Sequence, residues 1–111
     1  MLENVMQIVK NVLSSVPIQS ARLRAEKQAL SKTSLVDFLA EVKTNHNTLF
    51  LYHYEGAQGR GSEVCVSYIN PVKSRVEQLA TFGTDGLEPK LHYLLRNLTC
   101  CEYCAKMVIR E

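Results

Sequence analysis

The sequence predicts an α+β domain: amphipathic helices packed around an antiparallel β-hairpin, at about residues 48–54 and 63–69, and closed by a long C-terminal helix. Three observations predict it. Apolar residues near both ends recur at steps of three and four, the period of a helix with one buried stripe. Two short runs in the middle, rich in aromatic and branched residues, flank a loop with Gly56, Gly59 and Gly61. The composition, 111 residues with 46% hydrophobic and 22% charged, suits a single domain over 1–111 with one ordinary core.

The first helix is expected over about residues 2–15. Leu2, Val5, Val9, Val12 and Val16 form its stripe, and Pro17 closes it, because the residue before a proline avoids helical geometry. Residues 18–32 are polar, with only Ile18, Leu23 and Leu30 as anchors, and read as a solvated second helix or an ordered connection. Four basic groups against Glu26 give this segment a charge of +3. Ser34 and Asp37 resemble a capping pair ahead of Leu35, Phe38, Leu39 and Val42, which predicts a helix over about 34–45.

Thr48–Tyr54 and Glu63–Ile69 are the two strands of the hairpin. Alternation puts Phe50, Tyr52 and Tyr54 on one face and Leu49, Leu51 and His53 on the other. Neither face is cleanly polar, so the sheet is expected to be covered on both sides, or to meet another subunit on one of them. Asn70-Pro71 then reads as the start of a helix carrying Val72, Val76 and Leu79, followed by a turn at Gly83 and Gly86.

The last segment repeats Leu87, Leu91, Leu94, Leu98, Cys101, Ala105 and Val108 at alternating steps of four and three, a heptad pattern. One continuous helix is the expectation, because the register passes Thr99 without slipping. The alternative is a fresh helix from Cys100, started by a Thr99–Glu102 capping box.

Cys100, Cys101 and Cys104 are the only clustered candidates for chemistry, and Cys101-Glu102-Tyr103-Cys104 is a CxxC. Structural zinc usually takes four ligands from two separated pairs, and here there is one cluster. A redox dithiol needs Cys101 at a helix N-terminus, which a continuous helix denies it. The expectation is therefore no metal and no cofactor, with Cys101 a small core residue of the heptad. No Ser/His/Asp or paired-carboxylate spacing stands out, so no catalytic residue is assigned and the protein is expected not to be an enzyme. The glycine loop joins two strands and lacks the strand-to-helix context of a nucleotide fingerprint.

The function expected is a small self-associating interaction protein, a homodimer with a further protein partner unspecified. Leu91, Leu94, Leu98 and Cys101 of the last helix, with Phe50 and Tyr52 of the hairpin, are its candidate interface. Two alternatives stand beside it. One is a nucleic-acid-binding module that uses Arg22, Arg24, Lys27, Lys32 and Arg60 with the hairpin aromatics, although a net charge of +2 does not demand such a partner. The other is a zinc- or thiol-dependent protein. Polar residues interrupt the first apolar stretch and no run is long enough to span a bilayer, so no membrane partner is expected, the compartment is cytoplasmic or nuclear, and the sequon Asn97-Leu98-Thr99 is incidental.

Overall fold

In a computed structural model, which describes residues 2–29, 35–55, 61–70 and 72–109, the chain is α+β: a five-stranded antiparallel sheet with three helices. The order is α1 (Leu2–Leu13), β1 (Ser20–Ala29), β2 (Leu35–Lys43), β3 (Thr48–Glu55), β4 (Ser62–Asn70), β5 (Arg75–Gly83), α2 (Leu87–Cys100) and α3 (Glu102–Ile109). Each strand pairs with the next in sequence, so the expected hairpin, β3 and β4, is the inner pair of a meander. Its register is uninterrupted from Leu49↔Tyr68 to Glu55↔Ser62.

The helix expected at 2–15 forms, ending at Leu13, where Ser14 and Ser15 turn their hydroxyls back onto the Asn11 carbonyl. Three other helical readings give way to strands. Residues 18–32 hold β1 instead of a solvated helix, and as an edge strand it tolerates a polar sequence because only one side pairs. The helix expected at 34–45 is β2. A bulge explains the misleading period, since Phe38 pairs with Tyr52 and Ala40 with Leu51, leaving Leu39 as an extra residue. Phe38 and Leu39 are both buried, and the phase slip reproduces helical spacing inside a strand.

The helix expected after Asn70 is a turn and then β5. Asn70 caps as its sequence suggests, its Oδ1 accepting the N–H groups of Val72 and Lys73, but the turn stops at Ser74, whose φ is +53°. Val72 and Val76 are exposed, so they never formed a buried stripe. A second bulge, between Val66 and Ser67, leaves Leu79 as the extra residue of β5.

One core joins Val5, Val9 and Val12 of α1, Leu91, Leu95 and Leu98 of α2, and Val42, Leu49, Leu51, Val64 and Val66 of the sheet. The opposite side of the sheet carries Phe38, Phe50 and Tyr52, with Phe38 meeting the two other rings edge-on at centroid distances of 6.3 and 5.1 Å.

The long C-terminal helix is broken. Cys101 is extended, with φ −165° and ψ 169°, and separates α2 from α3. Thr99 does not start the new helix, because its Oγ1 donates back to the Leu95 carbonyl at 2.8 Å. The heptad ran through this point because α3 turns back against α2, with Ala105 buried, without continuing its axis.

Candidate thiol site

The helix break assembles the site. Cys100 is the last residue of α2, Cys101 is the extended link, and Cys104 lies in the first turn of α3. Their sulfurs lie within 4.8 Å of one another. Cys101 is the N-cap of α3: its carbonyl accepts the Ala105 N–H at 3.0 Å and its Sγ accepts the Cys104 N–H at 3.3 Å. A helix start leaves amide donors unpaired, and a sulfur placed there receives one of them.

Those contacts divide the thiols. The Cys104 backbone N–H, then the Cys104 thiol, hold Cys101 below its ordinary value of 9.0. Hydrogen bonding to Cys101 and Cys100 pushes the Cys104 thiol up to about 11. Cys101 is exposed and Cys104 half-buried. An exposed thiol whose ionisation is favoured, beside a second thiol whose ionisation is disfavoured, is a pairing suited to attack on a disulfide followed by resolution. Cys65 stands apart, buried in β4 with Ser67 Oγ 3.6 Å from its sulfur.

Beside Cys104 opens an apolar groove of about 770 Å³ between β5, α2 and α3, lined among others by Phe82, Tyr93, Leu94, Tyr103 and Met107. Glu102, the acid nearest in sequence, is exposed and paired with Lys106 at 3.2 Å.

The interface residues expected from sequence are not brought together. Leu91 and Leu98 are fully buried in the chain's own core, and Leu94 lines the groove. Phe50 and Tyr52 lie across the sheet from them, and Cys101 is exposed, not a core residue. Of the basic residues, Arg22 is exposed on β1. Arg24 and Lys27 lie on the same strand, and Lys32 and Arg60 fall outside the described residues, as does most of the glycine loop.

Sequence reasoning missed one polar pair. His53 is buried on β3, and its Nδ1 lies 3.2 Å from Asp37 Oδ2 on the neighbouring strand. Among the described residues, His53 Nε2 and Asp37 Oδ1 have no further hydrogen-bond partner. The missing signal was the strand at 35–43, which sets the two residues directly opposite each other.

Comparison with known protein families, with curated proteins and with solved structures finds no match. No helix among the described residues is long and apolar enough to cross a membrane.

Proposed function

We propose that this is a thiol-dependent protein that carries out thiol–disulfide exchange at Cys101 and Cys104. The observation that carries the reading is the position of Cys101 Sγ at the start of α3, on the Cys104 N–H. In the reaction, the Cys101 thiolate attacks one sulfur of a substrate disulfide. A mixed disulfide forms and the other substrate sulfur leaves as a thiolate. Cys104 loses its proton to solvent or to that leaving thiolate, and attacks Cys101 Sγ. The first substrate sulfur departs, and a Cys101–Cys104 disulfide remains. The substrate is reduced by two electrons and the protein oxidised by two, and a dithiol reductant returns it.

The test mixes reduced protein with oxidised glutathione, quenches with acid, and counts by mass spectrometry the thiols left on the protein and the glutathione bound to it over time. Wild type and Cys100→Ser are expected to exchange, Cys104→Ser to stop at a mixed disulfide on Cys101, and Cys101→Ser to be inactive. Equal rates for wild type and Cys101→Ser overturn the reading.

A second reading, non-enzymatic self-association, is favoured by a different observation. Ile69 and Val76, paired and exposed, continue the face that holds Phe50 and Tyr52. In that reading two copies meet through this face, and Val76→Glu separates them. Light scattering that gives a wild-type monomer at high micromolar concentration removes it.

A further inference from the structure

We infer that Cys100, Cys101 and Cys104 together form a binding site for one soft monovalent metal ion, Cu(I). The inference goes beyond disulfide exchange and does not need it, because it gives Cys100 a role that exchange leaves empty.

Every donor atom in the cluster is a sulfur, which excludes the oxygen-seeking cations calcium and magnesium and selects thiophilic ones. Distance comes next. Metal–sulfur bonds of ~2.3 Å set two sulfurs on one ion roughly 4 Å apart. The three sulfurs already lie within 4.8 Å of one another, so the remaining gap is less than an ångström. Cys100 and Cys101 are exposed and Cys104 half-buried, so side-chain rotation can close it without moving a helix.

Backbone geometry makes the set of three. In one continuous helix Cys101 would point about 100° around the axis from Cys100, the turn per residue of an α-helix. The extended conformation of Cys101 instead lets the last residue of α2 and the first turn of α3 present their sulfurs to the same point.

Donor number decides between thiophilic ions. A closed zinc site takes four ligands, and an open one completes its shell with water. Three thiolates fill the trigonal shell that Cu(I) accepts. Among the described residues no other His, Cys, Asp or Glu joins the cluster. The one nearby acid, Glu102, is engaged with Lys106.

The test uses the full chain, reduced by a phosphine and kept free of oxygen. Cu(I) is titrated against a chromophoric Cu(I) chelator, and zinc is titrated separately. Wild type is expected to take up one Cu(I) per chain and to hold it against excess zinc. Cys100→Ser, Cys101→Ser and Cys104→Ser should each weaken Cu(I) binding by about tenfold or more, the usual scale for disturbing a metal's ligand environment. Cys65→Ala should bind as wild type does. Cys100→Ser discriminates the two readings, because it loses copper while keeping exchange with oxidised glutathione. No uptake of Cu(I), wild-type affinity in Cys100→Ser, or displacement of the copper by zinc each overturns the inference.

Discussion

α2 and α3 are joined by one residue and behave as opposites. α2 buries Leu87, Leu91, Leu95 and Leu98 against the sheet and α1. α3 buries only Ala105, and it leaves Tyr103 71% and Met107 58% exposed. The heptad register treats both helices as one stripe, yet its second half meets the core only through the small Ala105 and the part-buried Val108. α2 thus carries most of the packing, and α3 is an appended helix of about two turns whose start brings the three thiols together. A helix with few core contacts can present unsatisfied amides and exposed thiols at its N-terminus at little cost to the fold.

The largest expected effect breaks this division most sharply. Leu91→Ala should cost ~2–5 kcal/mol by urea denaturation, the usual range for emptying a buried leucine site, and Leu91→Asp should leave the chain unfolded. Met107→Ala, on α3, should shift stability by no more than about 0.5 kcal/mol. A cost at Met107 equal to that at Leu91 would make α3 part of the core.

A middle-sized effect concerns Cys101. In a buried heptad seam, Cys101→Ser would leave an unpaired hydroxyl and cost roughly 1–3 kcal/mol. The structure exposes this residue, and serine is itself a good N-cap. Cys101→Ser should therefore melt within a few degrees of wild type while losing exchange with oxidised glutathione.

The smallest effect lies at the far turn of the sheet and extends the comparison to a polar network. Glu77 accepts hydrogen bonds from Asn70 Nδ2 at 3.3 Å and Tyr68 Oη at 3.1 Å, and pairs with Lys73 and Arg75 at 3.2 Å. Asn70 and then Lys73 lead in lowering its carboxyl from 4.5 to about 2. A lowered folded value means the stabilisation is complete above 4.5 and fades as pH falls through about 2. Glu77→Gln should lower the urea midpoint by a constant small amount above pH 4.5, and the difference should shrink between there and pH 2. A difference independent of pH would show that the carboxylate charge contributes nothing.

The first helix and the β3–β4 hairpin were legible because each follows one uninterrupted period. β2 and β5 were not. A bulge in the β2–β3 pairing puts Phe38 and Leu39 on consecutive buried positions, and Leu79 is extra in β5, so both strands imitate a helix. Asn70 showed its capping chemistry but not the length of what it capped. The CxxC was visible, and its context was misread: apolar spacing cannot distinguish a straight helix from one that breaks and packs back on itself. The Thr99–Glu102 signal did mark a break, displaced by two residues, with Cys101 as the cap.

The central claim, that Cys101 is set apart by its place at the start of α3, is tested most directly by the pH dependence of alkylation. Folded, reduced protein is treated with limiting iodoacetamide, and each cysteine is followed by mass spectrometry. Cys101 is expected to react first, with its rate rising through a midpoint below 9.0, while Cys104 stays slow until pH approaches 11. Cys104 reacting as fast as Cys101, or both following the curve of an ordinary exposed thiol, would contradict the account.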